Sequence, residues 1–231
     1  MKKLLTAIPL FAVLFVVNVS CAGDRTERII KLDEFSQIYL KGPFKVILIQ
    51  SSDHSVRLIG PDDVIDNINV ESHNNQLEVD YKFKKWRTKN EIELYISFKK
   101  LDYLQIEGVA NLSTNQQIKT DNIKLVFDGV GKIRLDVQAT KIISEISGVG
   151  DFNIEGETDY HKVTFDGIGS YSAINLISKY TTAESNGIGS VKVYASNSFK
   201  GQANGIGSIE YYGDPEDVNV KASGIGSINR R

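Results

Sequence analysis

The chain contains 231 residues, with 27 basic and 29 acidic side chains and a formal net charge of −2 at pH 7. This slight acidity gives no reason to expect a nucleic acid as partner, because nucleic-acid-binding domains carry clustered positive charge. The single cysteine excludes an internal disulfide framework. We therefore expect the fold to be stabilised by apolar packing.

The first 20 residues have the features of an export signal. Lys2 and Lys3 precede a mostly apolar stretch of 14 residues, 4–17, which is shorter than the roughly 20 residues of a membrane-spanning helix. Cys21 directly follows a small residue at the end of this segment, as at a bacterial lipidation site. We therefore predict a lipoprotein signal peptide at 1–20, a lipid anchor on Cys21 and a linker at 21–33.

The same residues allow a second interpretation. Ser20, Cys21 and Ala22 form a small-x-small pattern, so cleavage after Ala22 would release a soluble protein that begins at Gly23. Both interpretations predict an exported protein. With the lipid anchor it would be an outer-membrane or periplasm-facing lipoprotein, or one displayed on the cell surface.

Residues 34–106 consist of short runs rich in strand-forming residues. Examples are 44–49, 77–83 and 92–98, and turn signals such as Gly60-Pro61-Asp62-Asp63 and Asn74-Asn75 lie between such runs. This pattern predicts an irregular N-terminal cap and the early coils of the body that follows.

A six-residue phrase recurs seven times in residues 107–231, at intervals of 18 to 21 residues. It reads polar residue, Gly, Val or Ile, small residue, variable residue, apolar residue. A repeat this short cannot bury its own apolar face and must stack on its neighbours. The period therefore predicts an all-β solenoid with coils of about 19 residues, seven of them in 107–231.

Alternation around the phrase assigns inside and outside. The positions two and four before the first glycine are apolar or small, whereas the position directly before it is always polar. The β-branched residue after the glycine and the apolar residue three positions later are predicted as two more interior ladders. The first of these ladders is Val109, Val130, Val149, Ile168, Ile188, Ile206 and Ile225.

Burying both ladders would require the chain to bend at the phrase, and we predict that its glycines form this corner. Ala110 is the exception at the second small position. The predicted corner glycines are Gly108, Gly129, Gly131, Gly148, Gly150, Gly167, Gly169, Gly187, Gly189, Gly205, Gly207, Gly224 and Gly226.

Residues 40–46 (Leu-Lys-Gly-Pro-Phe-Lys-Val), 77–79 (Leu-Glu-Val) and the Gly-Ile-Gly-Ser-Ile series resemble the head GIN domain family, described as auto-transporter adhesins of Bacteroidetes-type bacteria. The resemblance covers residues 34 to about 228. It implies a right-handed parallel β-helix and a role in adhesion, and it supplies no catalytic or ligand residues.

The sequence offers no catalytic, cofactor or metal site. The Gly-x-Gly pairs lack the third glycine and the following helix of a dinucleotide fingerprint. His54, His73 and His161 lie on separate segments without metal-ligand spacing. The outward carboxylates Glu107 and Asp128 are typical of a solvated face.

One segment, residues 81–89, packs five positive charges and three aromatic side chains together. It contains Tyr81, Lys84, Lys85, Trp86 and Arg87, which we predict as candidate ligand-binding residues for an anionic partner. The alternative is a hairpin whose lysines protect a sheet edge and keep it soluble.

These features together predict a non-catalytic binding or adhesion module of the cell envelope, with a cell-surface glycan or an envelope protein as partner. The sequence leaves two alternatives open: a polysaccharide-active β-helix enzyme, and a structural or stress-related envelope protein.

Overall fold

The computed structural model describes residues 16–20, 25–82 and 92–231, and it is an all-β solenoid of about 6 turns with parallel stacked coils. The prediction of fold class is therefore confirmed. Its strands are β1 Val16–Ser20, β2 Thr26–Lys31, β3 Gln37–Gln50, β4 Ser55–Gly60, β5 Ile68–His73, β6 Gln76–Tyr81, β7 Glu93–Phe98, β8 Tyr103–Thr114, β9 Ile118–Lys119, β10 Asn122–Ile146, β11 Val149–Phe165, β12 Ile168–Ala173, β13 Leu176–Ser185, β14 Ile188–Tyr194, β15 Ser198–Ala203, β16 Ile206–Tyr212, β17 Asp217–Ala222 and β18 Ile225–Arg230. One short helix, α1 Asp62–Ile65, follows β4.

The coils stack in register, so that equivalent positions of successive repeats lie beside each other. β8 pairs with the long strand β10, β10 with β11, and β11 with both β12 and β13, all in parallel. The stack continues through β12, β14, β16 and β18 after the glycine phrase, and through β13, β15 and β17 before it. Each coil therefore contributes to two faces that meet at the phrase.

The core is the set of inward-pointing columns. Phe127, Phe152 and Phe165 are fully buried and make edge-to-face contacts, with ring centroids 4.9 and 6.4 Å apart. Aromatic pairs prefer this geometry because the positive ring edge meets the negative ring face. Stacked apolar side chains thus replace disulfides as the source of stability.

The N-terminal end is covered by a cap that differs from the coils. β6 and β7 pair in parallel with the two halves of β3, while β5 pairs with β6, and β2 and β7 pair with β4, in antiparallel fashion. Terminal repeats of a solenoid are expected to be atypical because one of their faces meets water.

The segment predicted as a linker at 21–33 contains a strand. β2 lies there, pairs with β4 over its whole length, and buries Ile30 to 5% exposure. Alternation over these six residues is too short to distinguish the strand from the polar residues around it. β1 pairs with β2 in turn, so processing before Cys21 would leave β2 as the edge of the cap.

The described part of the chain contains no helix with the length and apolar character needed to cross a membrane.

Candidate binding surface

The two faces meet at a corner built from two columns of closely stacked backbone. A Cβ atom added to Gly129 would lie 1.8 Å from the carbonyl oxygen of Gly108 in the preceding coil, and one on Gly167 would lie 2.0 Å from that of Gly148. Real Cβ atoms do not approach this closely, so only glycine lets the coils keep their spacing here.

Some second glycines of the phrase are also required by their conformation. Gly169 and Gly189 have φ of +131° and +143°, a region that L side chains rarely adopt. Ala110 occupies the same column in an early coil without a positive φ, which explains why a methyl group is accepted there.

The first glycine column has a further member outside the seven recurring phrases. Gly42 pairs in register with Gly108, and Pro43 takes the place of the Val or Ile that follows. The inserted cap strands separate Gly42 from Gly108 by far more than one repeat, so periodicity did not reveal it. The signal was local: Lys41-Gly42-Pro43-Phe44 has the polar-Gly-x-x pattern of Glu107-Gly108-Val109-Ala110.

The predicted interior ladder directly after the glycine is wrong. All seven of its members face solvent, with exposed fractions between 45% and 80%: Val109, Val130, Val149, Ile168, Ile188, Ile206 and Ile225. The reason is that alternation continues unbroken through the phrase. In β10, Phe127 and Ile133 point inward, the glycines between them take the intervening inward positions, and Val130 therefore points outward.

The other predicted ladder, three positions later, does point inward. Leu112, Ile133, Phe152, Tyr171, Val191 and Ile209 are buried, and Ile228 of the last coil is partly buried.

Polar side chains flank the exposed apolar column on its N-terminal side. Asn186 Nδ2 donates to Asp166 Oδ1 at 2.7 Å, Asn204 Nδ2 donates to Asn186 Oδ1 at 2.8 Å, and Ser223 Oγ donates to Asn204 Oδ1 at 2.8 Å. Four coils are thus joined by a continuous chain of side-chain hydrogen bonds. This ladder fixes the orientation of each amide.

Small polar residues flank the apolar column on its other side. Ser170, Ser190, Ser208 and Ser227 pair in register, and Ser170 Oγ donates to Asp151 Oδ1 at 2.8 Å. We call the exposed Val/Ile column together with these two polar columns the corner surface. At about 4.8 Å per coil it is roughly 30 Å long.

The polar cluster of the interior is not accessible to a substrate. His161 Nε2 lies 2.9 Å from Tyr171 Oη, and the Tyr171 hydroxyl donates to Ser144 Oγ at 3.0 Å. All three side chains are buried, and burial lowers the pKa of His161 to about 3 and raises the pKa of Tyr171. These groups join strands β10, β11 and β12 inside the core, so their arrangement is structural.

No group of three His, Cys, Asp or Glu side chains that could hold a metal ion occurs within residues 25–82 and 92–231. An open groove of about 440 Å³ lies on the other side of the solenoid, along Lys119, Gln138 and Glu157. Lys179 Nζ lies 2.6 Å from Asp159 Oδ1 at this groove, and this contact raises the pKa of Lys179. Mutual pairing of opposite charges is typical of a solvated face.

The candidate ligand segment is described only at its beginning. Tyr81 ends β6 and packs against the core beside Gly42, and Lys82 is exposed. Lys84, Lys85, Trp86 and Arg87 lie outside the described residues, as does Cys21, and their roles stay predictions.

Solved structures share this architecture. A putative adhesin from Bacteroides fragilis NCTC 9343 is 25% identical, with a TM-score of 0.84 over 90% of this chain and 97% of that one. A putative adhesin from Parabacteroides merdae ATCC 43184 is 20% identical, with a TM-score of 0.67 over 91% of this chain and 97% of that one. A putative lipid binding protein from Parabacteroides distasonis ATCC 8503 is 19% identical, with a TM-score of 0.69 over 91% of this chain and 98% of that one. The two Parabacteroides structures show a common fold.

No curated protein matches the chain. The family model described as "Putative auto-transporter adhesin, head GIN domain" matches residues 34–215, which include most of the cap, of the glycine corner and of the coils. The chain therefore belongs to the head GIN domain family.

Proposed function

We propose that this protein is a non-catalytic binding or adhesion module of the cell envelope, and that the corner surface makes the contact. The observation that carries the proposal is the exposed Val/Ile column, which runs along the coils on one rigid edge. Soluble proteins seldom expose contiguous apolar surface, and where they do it marks an interaction site.

The composition of the corner surface suits a specific contact. A column of β-branched side chains supplies apolar area, and the polar columns on both sides supply hydrogen-bond donors and acceptors, as in the core and rim of an interface. The side chains are held by the stacked strands and by the Asp166 to Ser223 ladder, so little freedom is lost on binding. The partner proposed is a cell-surface glycan or an envelope protein.

Membership of an adhesin family supports an exported or envelope location. We extend this to anchorage through a lipid on Cys21, which the export signal predicts.

A triple variant tests the proposed surface. Ile168→Ser, Ile188→Ser and Ile206→Ser together remove the apolar column from three coils without touching the core. We expect binding to a glycan array and to immobilised envelope extract to fall at least about ten-fold, because central apolar contacts dominate interface energy.

The matched control changes the same three coils on the other face. Lys162→Ser, Thr182→Ser and Lys200→Ser lie in register on one outward column before the glycine phrase. This variant should bind as the parent does. Equal binding by the Ile variant, the control and the parent would contradict the corner surface as the contact.

A further inference from the structure

Among the described residues, no further coil stacks on β17 and β18. β17 pairs with β15 along one edge, and its other edge has no strand partner among the described residues. Val218 and Val220 point into the solenoid but are 41% and 46% exposed, whereas Phe199, which lies beneath Val218 one coil earlier, is fully buried. The interior columns therefore reach solvent at this end.

Such an end combines two features that favour association. Unpaired backbone N–H and C=O groups offer a template for another strand, and exposed inward side chains add apolar area. The opposite end of the solenoid carries a cap of antiparallel strands, but β17 has only Asp217 and Lys221 to limit pairing at its edge.

The sequence of β17 is complementary to itself when it is read in the antiparallel direction. If Asn219 lies on a two-fold axis, Asp217 faces Lys221 of a second copy, and Val218 faces Val220 of that copy. The register that pairs opposite charges on the outside also joins the valines on the inside, because side chains alternate along a strand.

We infer that the open end binds a second copy of this chain, with the two β17 strands pairing antiparallel about Asn219. The contact is isologous, so it closes at a dimer and extends both interiors across the two-fold axis. Ser198 Oγ donates to Asp217 Oδ2 at 3.1 Å, which holds this carboxylate on the outer face. Lys221 has no ion-pair partner within the described residues, so its ammonium is available for the second copy.

The expected dimer is weak. A six-residue strand spans only about 20 Å, so a contact through one strand of each copy buries less than the roughly 800 Å² per partner of a standard stable interface. Association should therefore depend on protein concentration. This inference is independent of the corner surface, which lies along the side of the solenoid.

Sedimentation equilibrium of the purified chain over a wide concentration range tests the inference. We expect a reversible monomer–dimer equilibrium, with slower amide hydrogen exchange in 217–222 as concentration rises. Lys221→Glu brings carboxylates face to face at both symmetric positions and should raise the dimer dissociation constant on the order of ten-fold. Asp217→Lys should weaken the dimer in the same way.

The double variant Asp217→Lys with Lys221→Asp restores opposite charges and should recover most of the affinity. The exchange does not restore the hydrogen bond between Ser198 and Asp217. Recovered affinity would therefore come from the ion pair between the two copies and not from the Ser198 contact. Lys200→Glu is the matched control, because Lys200 lies beside Asn219 on β15, which already has strands on both edges. A monomer at all concentrations, an open series of higher oligomers, or a dimer without protection at 217–222 would overturn the inference.

Discussion

At the scale of single residues, the spacing between coils depends on the corner residues being glycines, which have no Cβ atom. Each glycine of the corner leaves space for the backbone of the neighbouring coil. A Cβ atom added to one of these glycines would collide with the carbonyl oxygen of the coil beneath it. The sequence predicted the glycine corner from recurrence. It did not predict which glycines also need a positive φ, because that depends on how sharply each coil bends.

Gly189→Ala should destabilise the protein by about 2–4 kcal/mol. The added Cβ would lie 1.9 Å from the carbonyl oxygen of Gly169, and the φ of +143° is strained for alanine. Urea unfolding measures the change in free energy. Ser190→Ala, one residue away and partly exposed, is the control and should stay within about 0.5 kcal/mol of the parent. Identical midpoints for the two variants would show that the coils can move apart at this corner.

Burial of His161 makes stability depend on pH. Its pKa is about 3 in the folded chain and 6.5 when unfolded, so below pH 6.5 the unfolded chain binds a proton that the folded chain excludes. The stability contributed by neutral His161 is complete above pH 6.5 and falls by about 1.4 kcal/mol per pH unit toward pH 3.

Comparison with His161→Gln isolates this effect from the carboxylates. Glutamine stays neutral, so the free energy of unfolding of this variant should fall about 2 kcal/mol less than that of the parent between pH 6.5 and pH 5. Urea titrations at several pH values measure both slopes. Parallel pH profiles would mean that His161 takes up a proton without loss of the fold.

At the scale of strands, hydrophobicity and alternation make opposite predictions for the Val/Ile column. Apolar character alone predicts burial and therefore places the Val/Ile column inside. The strict alternation of β10 carries the opposite information, since Val130 is an odd number of positions from both Phe127 and Ile133. Period two identifies the face of a strand residue more reliably than its hydrophobicity does.

A matched pair of substitutions separates the two ladders. Ile206 is 52% exposed and Ile209 is fully buried, although both lie on β16. Ile209→Ala should cost about 2–4 kcal/mol through lost packing and a cavity, whereas Ile206→Ala should cost less than about 1 kcal/mol, mainly through strand propensity. Thermal and urea unfolding measure both. Equal losses of unfolding free energy in the two variants would mean that Ile206 makes packing contacts within the fold, as Ile209 does.

The cap shows what repeat periodicity cannot predict. Periodicity predicts the coils because each repeats its neighbour, but the pairing of β6 and β7 with β3, and of β4 with β7, joins distant segments that do not repeat one another. The composition of a short strand does not indicate which strand it pairs with. The corner surface has the same character, since it exists only when seven separated phrases stack in register.

At the scale of the whole molecule, the two ends of the solenoid differ. The cap contains β2, which begins five residues after Cys21, whereas the open coil of β17 and β18 lies at the other end. A lipid on Cys21 would hold the cap toward the membrane. The corner surface would then run away from the bilayer, and the β17 edge would lie farthest from it.

Anchorage through Cys21 is the prediction on which this orientation depends. Growth with a fatty-acid analogue should label the wild-type chain and leave Cys21→Ala unlabelled, because the thiol is the only acceptor of its kind in the chain. On fractionation the wild type should sediment with membranes because of its lipid, and the variant should lose this lipid-dependent sedimentation. Cys21→Ala keeps the apolar stretch of the export signal. Unprocessed chain would show loss of export, and this readout distinguishes loss of export from loss of the lipid. Equal labelling of both chains would contradict anchorage, and processing after Ala22 without label would instead give a soluble exported protein.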